Sequence, residues 1–179
     1  VLSGEGADEL FGGYSRVQKS PFDYVKGNYL SSYSNINFFK RIFSLDKDFN
    51  FKDSNFKSYF FSRYKWFSQY EAEKIFSKEI LNEINLNDIF SPWEFNLNSN
   101  SDISELYNCV LLNFQKNHLQ CLLDRLDTMT MANSVEARVP FLEHELIEFI
   151  NSVPFKYKIK WNSYFSKIKS IFSNSDEFT

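Results

Sequence analysis

The chain has 179 residues, of which 43% are hydrophobic and 24% are charged, and its formal net charge is −3. These values are typical of one globular domain with a substantial core, and they argue against a disordered chain. The small negative charge gives no electrostatic support for nucleic-acid binding. No apolar run is long enough to span a membrane and no signal peptide opens the chain, so neither a membrane partner nor secretion is predicted.

The first predicted element is a strand end followed by a glycine-rich turn. Val1-Leu2 is apolar, and residues 3–14 then read SGEGADELFGGY, with four of the chain's five glycines and three carboxylates. Glycine permits positive φ and close approach of a ligand to the backbone. Carboxylates beside such a turn can hold a divalent cation or move a proton. Because open α/β sheets bind ligands at the carboxyl ends of strands, this turn is the candidate site.

A simpler interpretation of the same turn stays open at this point. The glycines suit ordinary turns, and Asp8 and Glu9 suit the first turn of a helix, where the helix dipole favours negative charge. The stretch is neither a Walker loop nor a dinucleotide-binding fingerprint, because no Gly-Lys-Ser/Thr follows and the glycine spacing differs. Composition alone favours the simpler interpretation.

Residues 15–100 predict short helices and loops without a clear period, as a variable surface insertion would, and we assign no function to them. Trp66, Phe67 and Tyr70 are expected to pack in a core rather than to bind a ligand. No second strand is predicted that could pair with Val1-Leu2. An unpaired strand end indicates that residue 1 is not a natural domain boundary.

The strongest predicted helix spans about residues 102–123, where apolar residues recur at steps of three and four. Ser101 is its predicted N-cap. Four further elements are predicted downstream: helices at 124–132, 142–153 and 163–172, and an extended, edge-strand-like segment at 156–160.

The cysteines and histidines predict no catalytic or metal site. Cys109 and Cys121 lack the spacing of a zinc site, so reduced thiols in a cytoplasmic protein are expected. His118 and His144 are isolated from each other, and each is expected on a helix surface.

A second patterned segment lies far downstream, where residues 122–142 read LLDRLDTMTMANSVEARVPFL. Residues 3–14 resemble the S-G-E-G-x-D-E-x-F-G-G-Y signature of the asparagine synthetase family, in its synthetase domain. Residues 122–142 are similar to that family's L-L-x-R-x-D-x-M-S-M-A-x-S-x-E-x-R-x-P-F-L-D segment. The departures are Thr128 for a frequent basic residue, Thr130 for Ser and Glu143 for Asp.

The resemblance implies that residues 1–179 are part of a synthetase domain whose parent fold is α/β and adenine nucleotide alpha hydrolase-like. The family's phosphate-binding loop (S-G-G-x-D-S), its lysine-bearing segment and the cysteine nucleophile of its glutaminase domain do not occur within residues 1–179. We therefore expect an internal piece of that domain, mostly helical with one strand end at its N-terminus. Its missing partners are then the phosphate-loop and glutaminase segments.

The resemblance also implies a reaction and roles for the acid-bearing turn. In the family, ATP activates the side-chain carboxylate of aspartate as an adenylate, and ammonia derived from glutamine then forms the amide. ATP and Mg²⁺ are the implied cofactors. Asp8 matches the metal-binding aspartate, and Ser3 and Gly4 match positions that line the adenylate. Glu5 matches the glutamate beside the acyl-adenylate, where a carboxylate can act as general base. Glu9 is expected only to cap the following helix.

The charged residues of the second segment are harder to interpret as chemistry. Arg125, Asp127, Glu136 and Arg138 stand among apolar residues, and buried charges persist only when they are paired. We expect mutual ion pairs that shape the floor of a pocket. The alternative is that one arginine binds a substrate carboxylate in bidentate fashion.

Two alternatives to an asparagine synthetase stay open from sequence alone. One is a truncated or split-gene remnant that acts at most as a binding or scaffold module. The other is a relative that amidates a different carboxylate.

Overall fold

The computed structural model describes residues 1–33, 55–64, 69–83, 91–97, 101–160 and 163. The α-helices of these residues, in chain order, are α1 (Ala7–Phe11), α2 (Ser15–Tyr33), α3 (Phe56–Tyr64), α4 (Gln69–Ile75), α5 (Lys78–Glu83), α6 (Ile103–Asn113), α7 (Leu119–Met131), α8 (His144–Ser152) and α9 (Phe155–Lys158). A π-helix at Phe114–His118 joins α6 to α7, and a 3-10 helix spans Pro140–Leu142. The prediction of a mostly helical chain is confirmed for this part of it.

The predicted strand end forms one parallel bridge, between Leu2 and Arg138, rather than a strand. Ser3 N–H donates to the Arg138 carbonyl at 2.9 Å, and Arg138 N–H donates to the Val1 carbonyl at 2.8 Å. The prediction that this segment has no partner in its own chain was therefore wrong. The pairing stops after one residue because Pro140 lacks the amide hydrogen that the next bond of a parallel ladder would need.

Aromatic and aliphatic side chains from α3, α6 and the π-helix form the main core of the described residues. We call its eight buried residues the aromatic core: Phe56, Tyr59, Phe60, Phe61, Trp93, Leu106, Val110 and Phe114. The Phe60 ring lies 5.6 Å from that of Trp93 and 6.1 Å from that of Phe114. Ring pairs at these separations stabilise the fold beyond the burial of their apolar area.

The segment 15–100 contributes more than short helices and loops. α2 is 19 residues long and packs along α3. Asp23, which is buried, links the two helices, because its carboxylate lies 3.2 Å from Lys26 Nζ and 3.2 Å from Arg63 Nη2. The prediction of short helices was wrong here because α2 has no clear apolar stripe and depends on these contacts. The prediction that Trp66, Phe67 and Tyr70 pack in a core falls on two residues, and on the side chain of a third, that lie outside the described part of the chain.

The helices predicted at 102–123 and 124–132 are confirmed as one helical run from Ile103 to Met131, with the π-helix in its middle. Its N-cap is Asp102, one residue later than predicted. Asp102 Oδ1 accepts from the Glu105 amide at 2.8 Å, and Glu105 Oε2 accepts from the Asp102 amide at 3.2 Å. This reciprocal capping box decides between Ser101 and Asp102, because only Asp102 has a glutamate three residues later.

The helix predicted at 142–153 is confirmed as α8. The segment 156–160, predicted as extended, instead contains the short helix α9. Pro154 precedes it with φ −57°, and the Phe155 ring stacks on the buried Tyr107 ring at 5.1 Å. This ring contact outweighs the alternating pattern that predicted a strand. The helix predicted at 163–172 lies outside the described residues, except for Ser163.

The short helix α1 lies between the other elements and contacts α6, the π-helix and α8. It begins and ends at glycines with positive φ, Gly6 at 94° and Gly12 at 77°. These are backbone conformations that glycine adopts without strain. Leu10 is fully buried and anchors α1. None of the helices that the structure describes is both long and apolar enough to cross a membrane.

Candidate functional site

The structure brings the two patterned segments together at one surface. We call residues 3–13 the acid turn and residues 122–142 the second motif. They meet at the Leu2–Arg138 bridge and at a contact between the rings of Phe11 and Phe141, whose centroids are 6.5 Å apart. A Cβ on Gly6 would collide with the Leu142 side chain, so glycine is required for this close approach. Segments more than a hundred residues apart therefore lie side by side at one surface.

Glu5 faces a positive charge from the second motif. Its Oε1 lies 3.9 Å from Arg125 Nη2, and the two side chains are 28% and 64% exposed. Water screens a pair at this distance and exposure, so its net contribution to stability is small. Both groups remain accessible to a ligand. The Arg125 guanidinium thus lies beside a carboxylate of the acid turn, whereas the Arg138 guanidinium pairs with Glu136.

Asp8 is folded against the backbone at the end of the turn. Its carbonyl oxygen accepts hydrogen bonds from the amides of Gly12 and Gly13, at 2.8 Å and 3.0 Å. A Cβ on Gly13 would overlap the Asp8 carboxylate, so the absence of a side chain there makes room for that carboxylate. The second glycine of the pair is therefore needed to accommodate the acid.

The donor set around Asp8 fits one kind of metal binding. Among the described residues, no group of three or more His, Cys, Asp and Glu side chains could hold a metal ion. Mg²⁺ commonly uses one or two carboxylates and completes its octahedron with water and substrate phosphates. Asp8 fits that mode as a single carboxylate ligand. It does not fit a metal held in an all-protein cage.

Ser3 and Gly4 line an open part of the acid turn. Ser3 Oγ accepts from the Glu5 amide at 3.4 Å, which helps to fix the turn. A Cβ on Gly4 would meet no atom within 4 Å, so the space beside Gly4 is open. Alanine at position 4 would therefore fit without a steric clash in the folded chain.

The Glu9 side chain contacts Tyr14 and does not cap α1, so the expectation of a capping role was wrong. Its side chain is 1% exposed, and its Oε1 accepts a hydrogen bond from the Tyr14 hydroxyl at 2.7 Å. Burial is the first cause that raises the pKa of Tyr14, and the hydrogen bond to Glu9 is the second. Tyr14 therefore stays a protonated donor. The motif contains both residues, but its spacing does not reveal that they are paired.

His118 is half-buried on the π-helix, whereas His144 is exposed as predicted. The His118 ring packs against Tyr14 at 5.3 Å, and its Nδ1 shares a hydrogen bond of 2.9 Å with the Tyr64 hydroxyl. Burial lowers the pKa of His118, which favours the neutral ring. Tyr64 belongs to a segment with no motif, so no sequence pattern indicates this contact. Both cysteines are free thiols, as predicted.

The charges of the second motif pair differently from expectation. Glu136 Oε1 lies 2.7 Å from Arg138 Nη2, which confirms one mutual ion pair, but both side chains are exposed. Arg125 pairs with Glu5 in the acid turn, and Asp127 is exposed. The expectation of buried pairs was wrong because apolar neighbours in the sequence do not determine which side chains of α7, or of the segment after it, are covered.

The sequence matches the asparagine synthase family over residues 1–170. The chain belongs to the asparagine synthase family. The matched region includes the acid turn, the second motif and the aromatic core between them. The family implies an adenine nucleotide alpha hydrolase-like fold, of which the described residues supply the helical part and no named strand.

Curated relatives give the same family at low identity. A Methanocaldococcus jannaschii protein assigned as a glutamine-hydrolysing asparagine synthetase is 27% identical over 159 residues, which are 89% of this chain and 15% of that relative. Asparagine synthetase 1 of Bacillus subtilis is 27% identical over 169 residues, 89% of this chain and 26% of that relative. Amidase chyE of Penicillium rubens is 49% identical over 35 residues, 20% of this chain and 5% of that relative. The chain thus spans about a quarter or less of these relatives, and no solved structure matches it.

Proposed function

We propose that residues 1–179 are part of the synthetase domain of an ATP-dependent, glutamine-hydrolysing asparagine synthetase. One observation carries the proposal. The acid turn presents Glu5 and Asp8 from a single tight backbone, and Arg125 of the second motif lies 3.9 Å from Glu5. An ordinary surface turn would form without contacts to a segment more than a hundred residues away.

The proposed reaction has two steps. A side-chain carboxylate oxygen of aspartate attacks the α-phosphorus of ATP, the bond to the bridging oxygen breaks, and pyrophosphate leaves. The nitrogen of ammonia then attacks the activated carbonyl carbon, and the carbon–oxygen bond to AMP breaks. A proton must leave the nitrogen in the second step, which requires a base beside the carbonyl.

Glu5 is the proposed base for that proton. Its carboxylate is partly exposed at the surface of the acid turn and so can reach a bound substrate. General base catalysis of this kind typically contributes about 10²–10⁴-fold. Arg125 is proposed to bind a carboxylate or phosphate oxygen of the substrate, because its planar guanidinium offers paired donors and remains exposed.

Asp8, Ser3 and Gly4 are proposed to serve the nucleotide. Asp8 would hold Mg²⁺, which supplies positive charge where the phosphate bond breaks. The open space beside Gly4 would receive the adenylate, with the backbone of Ser3 and Gly4 in direct contact with it. Ammonia, aspartate and ATP are the proposed small-molecule partners, without nucleic acid or membrane, and the proposed location is the cytoplasm.

The proposal requires a phosphate-binding loop and a source of ammonia that residues 1–179 do not contain. It is tested by exchange of labelled pyrophosphate into ATP, with aspartate and Mg²⁺ present. The 179-residue chain is measured alone and joined to a segment that carries such a loop. We expect exchange only in the joined polypeptide, with amide formation when ammonia is added.

Three other outcomes separate the alternatives. Exchange by the 179-residue chain alone would refute the need for the missing loop. Exchange that depends on a carboxylate other than aspartate would identify a relative with a different acceptor. Absence of exchange in a folded, joined polypeptide would favour the non-catalytic binding or scaffold module.

A further inference from the structure

Polar groups beneath the acid turn connect α1 to the π-helix and to α8, from the buried Glu9 to the exposed Asn151. The Glu9 carboxylate accepts from the Tyr14 hydroxyl at 2.7 Å, and the Glu9 carbonyl accepts from Gln115 Nε2 at 3.4 Å. Gln115 continues to Asn151 on α8 through two reciprocal hydrogen bonds of 3.0 Å. The acid turn is thus held through both the side chain and the backbone of Glu9.

The position of the Tyr14 hydroxyl is fixed by the aromatic core. Its ring packs against Phe114 at 5.4 Å and against His118 at 5.3 Å, and both rings belong to the π-helix. Phe114 is itself part of the aromatic core, and His118 shares a hydrogen bond with Tyr64 of α3. π-helical turns are frequent at functional sites. Here the π-helix presents the aromatic surface against which Tyr14 rests.

We propose that Tyr14 is a positioning residue that acts through Glu9. Its hydroxyl holds residues 3–13 in the orientation in which Glu5 and Asp8 carry out their steps. This inference rests on the proposed function. The chemistry that supports it is the charge-assisted hydrogen bond from a phenol to a buried carboxylate, which is stronger than a bond between neutral groups. Glu9 has no access to water that could replace the phenol, since its side chain is 1% exposed.

The first test measures hydrogen exchange in the full 179-residue chain carrying Tyr14→Phe. The peptide over residues 3–13 should exchange about 10- to 100-fold faster than in the wild type, while residues 56–64 exchange at the wild-type rate. The matched control is Tyr107→Phe, which removes the hydroxyl of a buried tyrosine whose ring stacks on Phe155. It should leave residues 3–13 unchanged.

Two results of this test would overturn the proposal. One is an unchanged exchange rate for residues 3–13 in Tyr14→Phe. The other is equal acceleration in the acid turn and in residues 56–64, because general destabilisation would then explain the effect. Glu9→Gln keeps an oxygen that can accept from Tyr14 and should preserve most of the protection, whereas Glu9→Ala should not.

The second test uses kinetics in the polypeptide that also carries a phosphate-binding loop. Tyr14→Phe should lower kcat of both pyrophosphate exchange and amide formation by about 10- to 100-fold, because a small misplacement of reacting groups has effects of this size. The KM for ATP should change by less than about threefold, because Tyr14 contacts no ligand in the proposal. A purely structural role would leave kcat per folded molecule unchanged, and that result would overturn the proposal. Absence of pyrophosphate exchange in the wild-type polypeptide would instead refute the proposed function. The hydrogen-exchange result would still decide the role of Tyr14.

Discussion

In the aromatic core, Phe60 is 1% exposed and contacts rings from α3, from residue 93 and from the π-helix, whereas the second motif leaves Met129 and Met131 65% and 56% exposed. The core therefore supplies stability and offers no open surface to a ligand. The acid turn and the second motif supply the accessible Glu5, Asp8 and Arg125, and apart from Leu10 they bury little apolar area. In this chain the residues that hold the fold and the residues proposed for chemistry are largely different.

The two regions meet at the π-helix. Phe114 lies in the aromatic core and also packs against Tyr14, at the end of the acid turn. Substitutions in the two regions can therefore be compared by their separate effects on activity and on stability. Variants of Glu5 and Asp8 in the acid turn should lose activity at nearly constant stability, and variants of the core should lose stability first.

The largest expected effect is on activity in the acid turn. Glu5→Gln keeps the shape of the side chain but loses the base, so it should slow amide formation by about 10²–10⁴-fold and slow pyrophosphate exchange much less. Asp8→Asn should impair pyrophosphate exchange itself, with partial recovery at raised Mg²⁺. The measurements are the two half-reactions in the polypeptide that carries a phosphate-binding loop. The assignment would be reversed if Glu5→Gln abolished exchange while Asp8→Asn left it intact.

The next effect is on stability in the aromatic core. Phe60→Ala removes a fully buried ring and should lower the free energy of unfolding of the 179-residue chain by about 3–5 kcal/mol, measured by urea denaturation. The matched control is Phe149→Ala on α8, where the ring is exposed and the expected change is within about 0.5 kcal/mol. Similar losses in the two variants would mean that the aromatic core is not the main source of stability.

Two glycines of the acid turn should respond in opposite ways. Gly6→Ala places a Cβ against Leu142 at φ 94° and should cost about 1–3 kcal/mol of stability. Gly4→Ala places a Cβ in open space and should change stability by less than about 0.5 kcal/mol, yet it should weaken ATP binding in the polypeptide with a phosphate-binding loop. Denaturation and binding calorimetry test the pair. Unchanged ATP affinity in Gly4→Ala would argue against an adenylate beside Gly4.

The sequence predicts well the local structure that interactions between residues near in sequence determine. The apolar period predicts the helical run from Ile103 to Met131, and the two literal motifs predict the family. Within the acid turn, Gly6 and Gly12 adopt the positive φ expected of glycine, and Asp8 and Glu9 lie in the first turn of α1, as the simpler interpretation had it. These features depend on residues within a few positions of each other.

The remaining features depend on contacts between distant segments. The Leu2–Arg138 bridge, the Glu5–Arg125 pair and the stacking of Phe155 on Tyr107 each join elements that no local pattern connects. Residues 15–100 have no literal motif, yet their aromatic side chains supply five of the eight residues of the aromatic core. Periodicity did not predict this because an aromatic cluster between several short elements needs no regular spacing on any one of them.

The smallest expected effect concerns pH and His118, at the contact between the two regions. Burial is the first cause of its lowered pKa; Arg125 also lowers it, while Glu9 and Glu5 raise it. The folded chain therefore binds a proton on this ring at lower pH than the unfolded chain, whose histidine pKa is about 6.5. Because the unfolded state binds more protons in that window, stability should fall as the pH falls below about 6.5.

His118→Phe tests this by keeping a ring in the same position without a titrating group. The melting temperature of the variant should decline less steeply between about pH 7 and pH 5 than that of the wild type. The control His144→Phe replaces an exposed ring on α8, away from the contact between the two regions. If the melting temperature of His118→Phe and of the wild type depended equally on pH, protonation of His118 would not be coupled to folding. The aromatic contacts of His118 would then provide packing alone, and the link between the aromatic core and the acid turn would depend on Tyr14 and Gln115.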